Sequence, residues 1–354
     1  MGVLHRFDGH EQVMFGRDDE SGLQCVIAIH STRLGPAVGG TRFRAYDDED
    51  AAVTDVLRLS RAMTLKTACA GLDTGGGKGV IIGDPGELRS EALLRAYGRM
   101  IASLGGRYVT ACDVGTTPDD MTMIGRETRF VTGKDPAEGG SGDSGILTAV
   151  GVHLAMQASA ATMWGEPTLK GRHVAVQGLG KVGRRLVGHL VEEGAKVTVA
   201  DVSEAAVAQV ADLDDVSVVD PDKVMAVDAE VFSPNALGAV LTEASIESLQ
   251  AKIVCGGANN QLASEHDAQR LIERGVLYAP DFVVNAGGII NLLDELHPGG
   301  YSQPRALRRV EAIGDTLQRV FALAHEQRIT TEDAAVRVAE ARIGQVGDLR
   351  GFLL

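Results

Sequence analysis

At 354 residues, 44% hydrophobic and 23% charged, the chain is longer than one hydrophobic core usually grows, which predicts two domains of ordinary globular composition and excludes a fibrous or disordered protein. A formal net charge of −14 disfavours a polyanionic partner, so no nucleic acid is expected. The four cysteines, Cys25, Cys69, Cys112 and Cys255, include no C-x-x-C pair and no histidine at ligand spacing, so neither a disulfide scaffold nor a metal site is expected.

The opening segment MGVLHRFDGH lacks the apolar core of a signal peptide, and Arg6 breaks a myristoylation pattern at Gly2. No apolar run reads as long enough to span a bilayer, so a cytoplasmic chain without membrane contact is expected. Alternation over 12–15 and in LQCVIAI (23–29) predicts paired strands. Residues 35–40, GPAVGG, read as a glycine-rich loop. A helix is predicted over 48–63, with Ala52, Val56, Leu59 and Met63 on one face. A strand at 80–82 and a helix over 87–104 follow.

From Gly145 the pattern changes. A helix over 148–162 leads into apolar strands at 173–176, 196–200, 216–219, 231–232, 253–255 and 283–284, separated by helical stretches. Such alternation predicts a parallel, doubly wound sheet. The chain closes on two predicted helices, over 303–326 and 331–343.

Gly178-Leu179-Gly180-Lys181-Val182-Gly183 is a G-x-G-x-x-G. The strand HVAVQ precedes it, the helical stretch RRLVGHLVEEG follows, and the strand KVTVA comes next, completing a βαβ unit. The glycines permit a tight turn and close approach of backbone to a pyrophosphate at the helix N-terminus, where free N–H groups and the dipole favour negative charge. Asp201 ends the second strand at the spacing where an acid accepts hydrogen bonds from an adenosine ribose. Val202 and Ser203 come next, with no Arg or Lys to meet a 2′-phosphate, so NAD is expected over NADP.

Lys66 stands in MTLKTA and Lys78 in GLDTGGGKGV. A phosphate-binding P-loop is excluded by Leu72 and Gly79, where glycine and a hydroxyl residue are needed. A surface lysine is the usual reading; the three glycines before Lys78 and the apolar strand after it suggest a backbone wrapped round a small ligand. Asp113, in TACDVGT, ends an apolar run and suits either acid–base work or a turn. Taken singly, these three residues leave both readings open.

Taken together they carry a resemblance. The segment GPAVGGTRFRAYDDEDAAVTDVLRLSRAMTLKTACAGLDTGGGKGVIIGD, followed by RYVTACDVGTTPDDM, GGSGDSGILTAVGV, VQGLGKVG, CGGANNQLA and LYAPDFVVNAGGIINLLDEL, resembles the glutamate/leucine/phenylalanine/valine dehydrogenase family. The resemblance spans nearly the whole chain, and is closest to the short bacterial valine and leucine dehydrogenases, with phenylalanine dehydrogenase a near relative.

It implies an α/β fold of two domains flanking a cleft. Residues 1–145 would form the substrate domain and 146–325 the Rossmann domain, with the helices of 326–354 returning to the first. It implies Lys78 as catalytic base and Asp113 as the group that handles the amine proton. Lys66 would grip the substrate carboxylate, helped by the backbone at Gly39 and Gly40 and by Asn260. Asn259 would join Gly178, Leu179, Gly180, Lys181, Val182, Gly183 and Asp201 at the cofactor. Val38, Met63, Ile289 and Leu292 would supply the side-chain pocket. A homo-oligomer is implied, of an order the sequence does not give.

Glutamate-specific members place a lysine where Val38 stands and a serine where Leu292 stands. Hydrocarbon at both would leave a buried side-chain carboxylate unpaired, so a small aliphatic substrate is expected. Ile289 and Leu292 favour valine or leucine over phenylalanine, although hydrophobic pockets discriminate a methylene by only about 1–3 kcal/mol. Two rivals remain in view: another NAD(P) oxidoreductase, which would call for a catalytic histidine, and a non-catalytic NAD-binding relative, which would be expected to have lost Lys78 or Asp113.

Overall fold

The computed structural model describes residue 7 and residues 9 to 350, Arg350 by its backbone alone. Most of the opening segment, with its signal-peptide and myristoylation readings, lies outside the described residues. Two compact units emerge: Met1–Gly142 with Asn291–Gln303 and Ala339–Leu354, and Asp143–Ile290 with Pro304–Val338.

In the first unit, β1 (Gln12–Asp18) and β2 (Leu23–Ser31) pair antiparallel, β2 as a nearly continuous apolar run. Then come β3 (Ala37–Arg44), α1 (Glu49–Cys69), β4 (Gly75–Ile82), α2 (Pro85–Leu88), α3 (Glu91–Ser103), β5 (Tyr108–Cys112) and α4 (Pro118–Ile124). The sheet runs β1-β2-β4-β3-β5, with β3 parallel to both β4 and β5.

Val26, Ala28 and Val80 pack with Ala52, Val53 and Val56 of α1 in one core. Ile27, Ile29, Phe43 and Ile81 form another with Leu93, Tyr97 and Ile101 of α3 and Met121 of α4. Burial on both sides explains why these strands read as nearly continuous apolar runs.

Three expectations change here. The glycine-rich loop at 35–40 is instead largely the start of β3, whose alternation is masked because Gly39 and Gly40 carry no hydrophobic signal. Helix α1 runs on to Cys69, placing Lys66 in its last turn. The helix expected over 87–104 breaks at Ser90, whose hydroxyl accepts from Leu93 N at 3.2 Å and caps α3.

The glycines before Lys78 also have an internal explanation. A Cβ on Gly76 would stand 2.1 Å from Thr64 N, and one on Gly77 would stand 2.8 Å from the Tyr108 ring. The missing side chains seat α1 and Tyr108 tightly against β4.

The second unit opens with α5 (Gly145–Trp164), then β6 (His173–Gln177), α6 (Gly183–Glu193), β7 (Lys196–Ala200), α7 (Glu204–Val207), β8 (Val216–Val218) and β9 (Val231–Pro234). It continues through α8 (Glu243–Ser248), β10 (Ile253–Val254), α9 (His266–Glu273), β11 (Leu277–Tyr278), α10 (Asp281–Val284) and α11 (Gly287–Leu293), to α12 (Gln303–Gln327) and α13 (Thr331–Arg350). Its six strands are all parallel in the order β11-β10-β9-β6-β7-β8. The order reverses between β6 and β9, the switch point where doubly wound sheets bind ligands.

Residues 283–284, expected as a strand, lie in α10; the last strand is β11. A short apolar pair cannot distinguish the two by periodicity, and Pro280 at the N-cap of α10 starts a helix there. Helix α5 corrects the expectation that no run could span a bilayer, since it is 20 residues long and an 18-residue window in it reaches a mean hydropathy of 1.3. It is the core helix of its unit, with Ala149, Val152, Ala155 and Met156 fully buried. Residues from Ala339 onward group with the first unit, so the unit boundary falls within α13.

Candidate active site

Strand alternation along β3 places Val38, Gly40 and Arg42 on one face. Gly40 pairs with Ala111 of β5, and Arg42 pairs with Val80 of β4. Lys78 of β4 and Asp113, one residue past β5, therefore flank β3 from either side. Lys78 Nζ donates to Asp113 Oδ2 at 2.8 Å. The contact passes over Gly40, where a Cβ would stand 2.9 Å from Asp113 Cβ and 2.5 Å from Cys112 O. The turn carrying Asp113 is fixed by Thr116, whose Oγ1 accepts from Asp113 N at 2.9 Å and donates to Thr41 O at 2.9 Å.

Lys78 is buried at 6% exposure. Burial pushes its ammonium below the ordinary lysine range, opposed by the Asp113 charge beside it. For Asp113 burial works upward, but Lys78 and Arg42 outweigh it and hold the carboxyl below its usual range. The site thus keeps a carboxylate ionised next to a lysine biased toward losing its proton, an arrangement suited to acid–base chemistry.

Arg42 is a participant the sequence reading missed. Its Nε donates to the same Asp113 Oδ2 at 3.0 Å, and its Nη1 donates to Asp55 Oδ2 at 2.8 Å. Tyr46 OH donates to Asp55 Oδ2 at 2.8 Å and Arg58 Nη2 reaches Asp55 Oδ1 at 3.3 Å. The only local signal was position, two residues beyond Gly40 on the same strand face.

The other candidates of this unit lie on β3, α1 and α11. Val38 is fully buried on β3. A Cβ on Gly39 would stand 1.8 Å from Gly77 O and 3.3 Å from Met63 Cγ, so Met63 lies against this backbone. Tyr108 OH donates to Gly39 O at 2.6 Å and fixes that peptide from behind. Lys66 is half-buried, one turn beyond Met63 on α1. Leu292 Cδ2 would lie 3.3 Å from a Cβ on Gly133, which is also near Cys112. Asn259, Asn260 and Ile289 belong to the second unit.

In that second unit Gly178 turns at φ +91°, and a Cβ there would meet Ala236 Cβ at 2.7 Å. A Cβ on Gly183 would stand 1.9 Å from Gly178 O, whereas nothing lies within 4 Å of one on Gly180. The first and third glycines thus close the turn, and the second leaves open space beside exposed Lys181. Val182, the N-cap of α6, gives no side-chain cap, so the helix start ahead of Arg184, whose N–H donates to Gly180 O, suits an anion.

Asp201 accepts from Leu179 N at 2.6 Å and Ser203 N at 2.8 Å, so it braces the glycine turn as well as ending β7. Asn285 donates to Asn259 Oδ1 at 3.0 Å, while its own buried Oδ1 has no hydrogen-bond partner among the described residues. A phosphate cradle, a carboxylate at the second strand end and a buried acceptor awaiting a donor together fit a nicotinamide dinucleotide.

Residues 10–130 match the Glu/Leu/Phe/Val dehydrogenase dimerisation domain, and residues 139–219 and 203–343 match the glutamate/leucine/phenylalanine/valine dehydrogenase domain. The chain is 51% identical over 350 residues to the valine dehydrogenase of Streptomyces virginiae, covering 97% of each. It is 48% identical over 351 residues to the leucine dehydrogenase of Bacillus cereus, covering 99% of this chain and 95% of that one. Among solved structures, L-tryptophan dehydrogenase from Nostoc punctiforme matches with a TM-score of 0.87 at 44% identity, over 98% of both chains. A chain matched by the family over both of its units, and aligned nearly end to end with these relatives, belongs to the glutamate/leucine/phenylalanine/valine dehydrogenases, amino-acid oxidoreductases that use a nicotinamide cofactor.

Proposed function

We propose that this enzyme oxidatively deaminates a small branched-chain aliphatic L-amino acid, reversibly, to its 2-oxo acid and ammonia, with NAD as cofactor. The observation that carries this reading is the buried Lys78–Asp113 pair beside Gly39 and Gly40, in a chain half identical to a valine dehydrogenase.

In this reading Lys66 holds the substrate carboxylate, assisted by the backbone of Gly39 and Gly40 and by Asn260. When bound, NAD supplies the oxidation as acceptor of the hydride from the substrate Cα. Asp113, kept ionised by Lys78 and Arg42, takes and returns the proton of the amine. Lys78, biased toward neutrality by burial, removes a proton from the water that attacks the imino carbon. Ammonia then leaves, and the 2-oxo acid remains.

Gly178, Leu179, Gly180, Lys181, Val182 and Gly183 would hold the cofactor's pyrophosphate, and Asn259 would also contact the cofactor. Asp201 accepts from the ribose hydroxyls. Exposed Val202 beyond it offers no cation for a 2′-phosphate, which supports NAD over NADP.

Val38, Met63 and Leu292 would meet the substrate side chain with hydrocarbon. Burying a glutamate side-chain carboxylate there without a partner would cost about 3–5 kcal/mol. The likeness to an L-tryptophan dehydrogenase supports an aromatic substrate as the second reading. Residues 10–130 match a dimerisation domain, which supports a homo-oligomer, and we place the enzyme in the cytoplasm.

Initial rates of NADH formation at alkaline pH with valine, leucine, isoleucine, phenylalanine, tryptophan and glutamate test the reading. Highest kcat/KM on a branched-chain substrate and none on glutamate is expected. Highest kcat/KM on an aromatic substrate would favour the second reading, and no turnover on any of the six would overturn both.

A further inference from the structure

Lys78 and Asp113 do not stand alone. We propose that Arg42 is a positioning residue of the deamination: anchored by Asp55 of α1, its guanidinium pins Asp113 Oδ2 toward Lys78 and tunes the charge balance in which the pair works. The proposal rests on the assignment of Lys78 and Asp113 given above.

The geometry is specific. One oxygen of Asp113 receives both cations, Lys78 Nζ at 2.8 Å and Arg42 Nε at 3.0 Å. The carboxylate plane is thereby set, with both cations on Oδ2 and none on Oδ1 among the described residues; Val114 adds a backbone hydrogen bond to the same carboxyl. The same guanidinium reaches Asp55 through Nη1 at 2.8 Å. Only a planar fork spans two acids in this way; a lysine offers one point charge. Arg42 and Asp55 are themselves largely covered, with side chains 17% and 14% exposed. Tyr46 OH and Arg58 hold Asp55 from behind.

The electrostatic consequences have definite signs. The charged groups acting on the pair are Arg42 from β3 and Asp55 from α1, with Arg58 of α1 and Tyr46, between these elements, acting on Asp55. The positive charge of Arg42 favours ionised Asp113 and disfavours protonated Lys78, whereas Asp55 favours protonated Lys78. Arg42 and Asp55 therefore act on Lys78 in opposite directions.

A purely structural ion-pair network would stabilise the fold without this signature. The pH dependence of kcat/KM for valine distinguishes the two in the full-length enzyme. Arg42→Gln is expected to move the acidic limb upward by about half to one pH unit and to lower kcat about tenfold, with KM for NAD unchanged. Asp55→Asn is expected to move the limb downward. Arg42→Lys keeps the charge but loses the fork, so the limb stays near its original place while kcat falls.

Opposite shifts for the two charge-removing variants support the proposal. Unmoved limbs, or shifts in the same direction, overturn it while leaving Lys78 as base. If Arg42→Gln fails to fold, Asp55→Asn and Arg42→Lys carry the test, and an unmoved limb in Asp55→Asn overturns the proposal. Lys78→Ala, assayed alongside, separates the two levels: retained turnover there would overturn the base assignment and this proposal with it.

Discussion

Lys78 and Asp113 meet at 2.8 Å although they come from strands that are not neighbours, with β3 between them. Adjacent strands lie about 4.8 Å apart, so the pair spans roughly two such spacings. The span closes because β3 presents Gly40, with no side chain, between the two groups.

Gly40→Ala tests that relationship. The new methyl would stand 2.5 Å from Cys112 O and 2.9 Å from Asp113 Cβ, contacts closer than real side chains make. Displacing Asp113 is expected to lower kcat/KM about a hundredfold, since misplacement near 1 Å costs that much in an oriented site. Overpacking is expected to cost about 1–3 kcal/mol of stability. Steady-state kinetics and denaturant unfolding read the two effects, and normal kcat/KM would show that Gly40 is not needed for the pair.

Asp201→Ala bears on the nucleotide cradle. The carboxylate accepts from Leu179 N and Ser203 N, so its loss removes the proposed ribose contact and loosens the glycine turn together. KM for NAD is expected to rise about tenfold or more, with the side-chain preference among amino acids unchanged. An unaltered KM would contradict the placement of the ribose.

Glu332, at the start of α13, gives a pH-linked prediction. Burial, with Asp281 and Asp333 nearby, pushes its carboxyl up from 4.5 to about 8, and its Oε2 has no hydrogen-bond partner among the described residues. The folded chain therefore holds a proton that the unfolded chain releases. This contribution to stability is fully present below the unfolded value and is lost as pH rises through about 8. Glu332→Gln is expected to raise Tm by about 3–6 °C at pH 9 relative to the parent, with little change at pH 4. Equal changes at both pH values would contradict the linkage.

Much of this architecture was legible because its signals are local. The parallel strands of the second unit announce themselves as short apolar runs between helices, and G-x-G-x-x-G carries its context within one βαβ unit. Lys78, Asp113 and Gly40 were likewise picked out by their motifs, and the fold brings these three together. Strand β3 was hidden because its central glycines carry no apolar signal, although the strand pairs in parallel with both β4 and β5. The Val283–Val284 pair was too short to show its helical period. Arg42 was invisible for a different reason: its partners lie 13 and 71 residues away, and charge pairing at that range leaves no periodic trace.

Lys78→Ala, assayed for NADH formation with valine beside a direct NAD-binding titration, tests the central claim most directly. The account predicts a loss of kcat of about a thousandfold or more, with NAD affinity within twofold of the parent. Turnover within tenfold of the parent would contradict it, because the buried lysine would then be an ion-pair partner of Asp113 and not the base.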